Sequence, residues 1–182
     1  FLTTGSESGK FEKAIAKYCG CKYAVVCSNG TAALHLAMKA INLKKNESVV
    51  TSANTFVADA NAPLFEGGKV IFSDIDIETG NMSIDTLKNI LQRNKNIKCV
   101  IATHFAGLTI NMKKLKKVCD QFNIKVIEDG CHALGASYQD NFKPKNMVGN
   151  CRYSLMTTFS FHPIKSITTG EGGLVTTNNK SF

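Results

Sequence analysis

The chain carries 182 residues, 43% of them hydrophobic, with 22 Lys and Arg against 14 Asp and Glu for a net charge of +8; that is enough for one domain with a sizeable core and too even to suggest two. No apolar run approaches the roughly 20 residues that a membrane helix needs, and no charged-then-apolar leader marks a secretory signal. Seven cysteines without a CxxC pair read as reduced, mostly buried thiols of a cytoplasmic protein rather than as a disulfide frame.

Both ends read as cut, because Phe1-Leu-Thr-Thr lacks an initiator Met and the sequence stops just past an apolar strand. The chain is therefore expected to be a piece of a longer polypeptide. Phe11, Ala14, Ile15 and Tyr18 recur at helical spacing within 10–19, and Gly20 follows as a C-cap. Residues 23–27 then form a short apolar strand, 28–31 a tight turn and 32–41 a helix. The cycle repeats with a strand near 48–52, a helix within 55–66, a strand at 69–73, a helix at 84–92 capped by Ser83, a strand at 98–103, a helix at 111–122 and a strand at 124–129. A short helix or turn at 131–137, a polar loop at 139–150 and two β-rich runs at 153–161 and 173–178 complete the chain. Seven apolar strands alternating with helices predict an α/β fold, a mostly parallel sheet covered on both faces. The densest basic cluster, Lys113-Lys114 with Lys116-Lys117, fits the wet face of a helix and has no interleaved aromatics, so no nucleic-acid partner is expected.

Ligands of such sheets gather beyond the carboxyl ends of the strands, and those ends hold the informative residues. The first is Lys165, set between a β-rich run and the glycine turn Thr168-Thr-Gly-Glu-Gly-Gly. A lysine fixed there forms an imine with an aldehyde when part of it stays unprotonated; by itself it also reads as a solvated surface residue. Gly30 and Thr31 stand where the first strand turns into a helix, so backbone N–H groups and a hydroxyl would face an anion, and Ser160 adds a second hydroxyl. Ser-Asn-Gly-Thr is equally an ordinary turn and N-cap. Asp129 closes the fifth strand, where a buried acid needs a cationic partner such as a protonated pyridine nitrogen, unless it caps a following helix. Phe56, at the start of the helix after the second strand, would lie flat on a ring or pack in the core. Phosphate, ring nitrogen, ring face and aldehyde are the four parts of pyridoxal 5'-phosphate (PLP).

Six blocks carry a family resemblance: Ser-Asn-Gly-Thr-Ala-Ala-Leu-His-Leu-Ala (28–37), Thr-Phe-Val-Ala (55–58), Phe-Ser-Asp-Ile-Asp (72–76), His-Phe-Ala-Gly (104–107), Ile-Glu-Asp-Gly-Cys-His-Ala-Leu-Gly-Ala (127–136) and Phe-Ser-Phe-His-Pro-Ile-Lys-Ser-Ile-Thr-Thr-Gly-Glu-Gly-Gly (159–173). In that order they resemble the DegT/DnrJ/EryC1/StrS sugar aminotransferases, the last two blocks with high specificity. The resemblance implies the large domain of a fold type I PLP-dependent transferase over 1–182, with a seven-stranded sheet whose last strand is antiparallel. It also implies that the extreme N-terminus and a C-terminal small domain are absent from this sequence. Carried across, it makes Lys165 the Schiff-base lysine and proton carrier, Asp129 the pyridine-nitrogen partner, and Gly30, Thr31 and Ser160 the phosphate ligands. Phe56 takes the stacking position, and His132 either touches ring or substrate or is a packed histidine; His35, His104 and His162 are assigned to structure. The run His162-Pro-Ile-Lys165-Ser-Ile-Thr-Thr is most like enzymes that aminate C4 of a UDP-4-keto-6-deoxy-N-acetylhexosamine. The implied reaction is a ping-pong transamination with L-glutamate as donor, in a homodimer with shared active sites.

A dehydratase branch of the superfamily carries histidine at the lysine position, and Lys165 argues against it. Gly5-Ser-Glu-Ser-Gly9-Lys10 is one residue short of a P-loop, lacks its Ser/Thr and follows no strand. Cys131 and His132 lack the paired spacing of a zinc site, so no metal is expected, and no GxGxxG follows the first strand. The rival of another class is a non-catalytic PLP-fold protein that dimerises without turnover.

Overall fold

The structure, a computed structural model, describes residues 5–138 and 146–182. Its elements in chain order are α1 (Ser6–Cys19), β1 (Tyr23–Cys27), α2 (Gly30–Ala40), β2 (Ser48–Ser52), α3 (Ala58–Phe65), β3 (Lys69–Ser73), α4 (Ile84–Arg93), β4 (Ile97–Thr103), a 3-10 turn (Phe105–Gly107), α5 (Met112–Gln121), β5 (Lys125–Asp129), β6 (Met156–Ser160) and β7 (Gly173–Thr177). One seven-stranded sheet runs in the order β1-β7-β6-β5-β4-β2-β3. Neighbours are parallel except at β7, which is antiparallel to both β1 and β6. The expected mostly parallel sheet with an antiparallel last strand is the one found.

Alternate strand residues feed two cores, as the two-residue period of a strand requires. Val50, Val100, Ala102, Val126, Phe159 and Leu174 pack with α1, α4 and α5 on one face. Val49, Cys99, Ile101, Ile127, Met156 and Val175 pack with α2 and α3 on the other. Strands buried on both faces read as unbroken apolar or Thr runs; accordingly β2 and β7 are buried throughout, whereas the edge strand β1 is exposed at Tyr23 and Val25.

Side-chain caps fix where the helices begin. Asn29 accepts from Ala32 N–H, Ser83 from Thr86 N–H and Asn111 from Lys114 N–H, each occupying a backbone donor that the first turn leaves free. Gly20 ends α1 in the left-handed region at φ 78°. The lysine cluster lies on α5 opposite its buried Met112, Leu115 and Cys119, with Lys116 paired to Asp120. All seven cysteines are free, and among the described residues no helix is long and apolar enough to cross a membrane.

Three boundaries differ from the sequence reading. Helix α1 starts at Ser6 rather than at 10, with Gly5 as its extended N-cap, so Ser6 to Lys10 are helical; its first turn is polar and is braced by a Lys10–Glu7 pair. The β-rich run at 153–161 contributes strand only at Met156–Ser160. Phe56 precedes α3 by two residues instead of opening it. The polar loop expected at 139–150 lies partly outside the described residues.

Candidate active site

Strands β1, β2, β4, β5 and β6 point the same way, so their carboxyl ends and the loops after them share one edge of the sheet. Gly30, Thr31, Phe56, Asp129, His132, Ser160 and Lys165 all follow or end those strands.

Helix α2 leaves β1 through Asn29, and with the Asn29 side chain capping Ala32, the Gly30 and Thr31 N–H groups have no acceptor among the described residues. They face the edge with the positive end of an 11-residue helix behind them. Gly30 is glycine for a packing reason: a Cβ there would come within 2.9 Å of Ser160 Cβ, 3.4 Å of Ser160 Oγ and 3.2 Å of Cys131 Sγ. The close approach sets the Ser160 hydroxyl beside the α2 N-terminus, so Gly30 and Ser160, 130 residues apart in sequence, meet. Gly173, the first residue of β7, holds this junction from the other side, since a Cβ on it would overlap the Asn29 carbonyl and meet Cys27 Sγ at 2.9 Å. Because backbone blocks the space, Gly173→Ala is expected to destabilise the fold by about 1–3 kcal/mol or more. Urea unfolding reads this directly, and a variant as stable as the parent would contradict the packing.

Asp129 ends β5 in register with Thr103 of β4 and Thr158 of β6. It is 4% exposed, and its Oδ1 accepts the Cys131 N–H at 2.9 Å. That bond turns the chain sharply after β5 and brings Cys131 and His132 under the same edge. Burial first, and then the Lys165 charge, push the His132 imidazole below its ordinary range, with Asp129 opposing. Its ring lies exposed, edge-on to Phe105 at 6.5 Å between centroids.

Lys165 stands half-buried in the loop from β6 to β7. The base of that loop is closed by Phe161 N–H to Gly172 O at 2.8 Å and by Thr169 N–H and Thr168 Oγ1 to Phe161 O. At the tip, Lys165 N–H donates to His162 O at 2.9 Å. Its ammonium has no ion pair or hydrogen bond among the described residues, yet its charge acts on Cys131 and His132, which flank Asp129. Phe56 lies at the same edge but is 67% exposed, with no aromatic ring contact among the described residues. The fold thus brings Gly30, Ser160, Cys131, Asp129, His132 and Lys165 into one neighbourhood, with Phe56 at its rim.

Two features escaped the sequence reading. Asp59, in the first turn of α3, is wholly buried beside Asp129; its one signal was an acid inside the apolar run 56–65. Glu128, taken only as part of a motif, is buried at the centre of a network. His104 meets its Oε2 at 2.7 Å, Tyr138 Oη donates to Oε2 at 2.7 Å and Ser154 Oγ to Oε1 at 2.5 Å. Burial pushes its carboxyl up, but the bonds from His104, Ser154 and Tyr138 outweigh that and hold it below its ordinary range. Ile110 N–H donates to His104 Nδ1 at 3.3 Å, so Nε2 carries the proton given to Glu128. His104 therefore has the structural role expected of it.

The family model of the DegT/DnrJ/EryC1/StrS aminotransferase family matches residues 1–182. The UDP-4-amino-4,6-dideoxy-N-acetyl-beta-L-altrosamine transaminase of Campylobacter jejuni subsp. jejuni serotype O:2 is 38% identical over 182 residues, covering 100% of this chain and 46% of its own length. The X-ray structure of the aminotransferase from Psychrobacter cryohalolentis superposes with a TM-score of 0.90 at 33% identity, over 98% of this chain and 43% of that one. The PLP-form of the putative sugar aminotransferase Spr1654 from Streptococcus pneumoniae does so with a TM-score of 0.85 at 26% identity, over 99% and 48%. The chain spans about half the length of the curated relatives it matches.

Proposed function

The chain belongs to the DegT/DnrJ/EryC1/StrS aminotransferase family, and from that premise we propose that it is the PLP-binding large domain of an enzyme that moves an amino group from L-glutamate to the keto carbon of a nucleotide-linked 4-keto-6-deoxy sugar. The carrying observation is the meeting of Lys165, Asp129 and the Gly30–Ser160 cradle on one sheet edge. The cradle fits a phosphate: N–H donors at a helix N-terminus with no acceptor among the described residues, a hydroxyl beside them, and a glycine whose Cβ would fill the space. Asp129 fits a protonated ring nitrogen, and Lys165 has a primary amine without an ion pair among the described residues and within electrostatic reach of Cys131 and His132.

When bound, PLP supplies an electron-withdrawing ring and an aldehyde that takes up and returns the amino group. The rest falls to the chain. Gly30, Thr31 and Ser160 would hold the phosphate, Asp129 would hold the ring-nitrogen proton in place, Phe56 would stack on the ring and His132 would contact ring or substrate. Lys165 Nζ would take the α-proton from the amino donor and give it up again in the first half of the cycle, and would deliver a proton to the sugar carbon in the second, which demands a neutral amine for part of each half.

The substrate reading, a UDP-linked N-acetylhexosamine, is supported by the Campylobacter relative and by the run 162–169. The family resemblance and the exposed Phe56, Val57, Leu64, Phe65 and Phe72 on one flank of the molecule support a homodimer. The cysteine usage supports a cytoplasmic setting. The test is 2-oxoglutarate release by the natural full-length polypeptide. We expect one equivalent per site from glutamate alone and continuous release once a UDP-linked 4-keto-6-deoxy-N-acetylhexosamine is added. No release with any nucleotide-linked ketosugar would overturn the proposal.

A further inference from the structure

Asp59 is a buried acid that the reaction just described does not use. Thr55, ahead of α3, donates to its Oδ2 at 2.5 Å, and Thr103, at the end of β4, donates to the same oxygen at 2.6 Å. Among the described residues, Oδ1 is buried and makes no hydrogen bond within normal geometry, and nor does Oγ1 of neighbouring Thr51 on β2. The titratable groups that reach Asp59 are Asp129 at the end of β5 and Cys131 just beyond it; no lysine, arginine or histidine pairs with it among the described residues. Burial first, and the Asp129 charge second, push its carboxyl up to about 8, against the bonds from the threonines. A carboxylate here would carry its charge in a dry site, next to a like charge and with no cation beside it among the described residues. A proton on Oδ1 removes both penalties and gives that oxygen an O–H to turn toward Thr51. Asp129, by contrast, accepts a backbone N–H and keeps some contact with solvent.

We propose that Asp59 is a positioning residue that acts through Asp129: it holds the one proton of a buried two-carboxyl pair, leaving the charge on the member that faces the cofactor ring. The inference rests on the PLP reading of the site. A cation seated against Asp129 offsets the charge that keeps Asp59 protonated, so cofactor binding and Asp59 ionisation favour each other. As the pH rises through the Asp59 titration the pair gains a second charge and grips a protonated ring more tightly. Asparagine mimics the neutral acid, keeping an acceptor for Thr55 and Thr103 while lacking this second charge.

The experiment compares parent and Asp59→Asn in the natural full-length protein, with Asp59→Thr as the second variant should Asn fail to fold. Titrations with PLP followed by absorbance should give equal Kd values at about pH 6.5 and a variant Kd about tenfold weaker by about pH 9. Urea unfolding of the cofactor-free proteins supplies a second readout. The folded parent keeps a proton that its unfolded chain releases, so the parent's folding constant should fall relative to the variant's by about tenfold per pH unit between roughly pH 5 and 7. A pH-independent stability ratio overturns the proton-holding pair. A pH-dependent stability ratio with a flat Kd ratio overturns the positioning role while leaving the PLP reading intact. A parent that binds no PLP at any pH sinks both.

Discussion

Lys165→Ala in the full-length enzyme is expected to lower turnover by at least about 10²–10⁴-fold, the range that one positioned proton carrier contributes. Loss of the proposed attachment point for the cofactor adds to that. Lys165 suits both tasks because its ammonium has no competing carboxylate partner among the described residues, while the closed base of its loop fixes where the amine stands. Lys165→Arg separates charge from proton transfer. Guanidinium keeps the cation but does not deprotonate in a protein, so Arg should fail as Ala does, with glutamate-driven 2-oxoglutarate release as the readout. Turnover by either variant within tenfold of the parent would remove Lys165 from the chemistry.

Glu128→Ala is expected to cost about 3 kcal/mol of stability, since each buried donor left without its acceptor costs about 1–3 kcal/mol. His104, Tyr138 and Ser154 all donate to this carboxylate, and Ala takes the acceptor from two buried donors and one part-buried one. These residues tie the end of β4, β5 and the segment before β6 together directly behind Asp129, so the loss falls on the site's foundation. The pH dependence follows from the depressed folded-state pKa of Glu128. The unfolded chain takes up a proton first as pH falls, so the stabilisation is complete above the ordinary carboxyl value of 4.5 and is lost below it. Glu128→Gln, which retains an acceptor oxygen, should lose less. Urea midpoints at neutral pH measure both, and a Glu128→Ala loss under about 1 kcal/mol would show that the network does not brace the sheet.

The sheet was legible because its central strands are buried on both faces and therefore apolar without alternation. The caps at Ser83 and Gly20 were legible because each satisfies a local backbone need. The start of α1 was not, since Ser6 to Lys10 form a polar turn with no apolar period. Pairings between distant segments, such as β1 beside β7, are set by packing that no local pattern records. The site divides in the same way. Lys165 and Asp129 stand in segments with a chemical signature, and the fold brings them into one neighbourhood through Cys131 and His132. Asp59 and the Glu128 network gain their meaning from burial among side chains of other strands, which a linear reading does not supply. Phe56 shows the limit from the other side: its exposure follows from a position ahead of α3 that helix periodicity could not fix.

Reduction of the PLP complex with borohydride, followed by peptide mass spectrometry, tests the central claim most directly. One stable pyridoxyl adduct per chain on Lys165 is the expected result. Adducts spread over the surface lysines, a single adduct on another lysine, or none in the full-length protein would contradict the account.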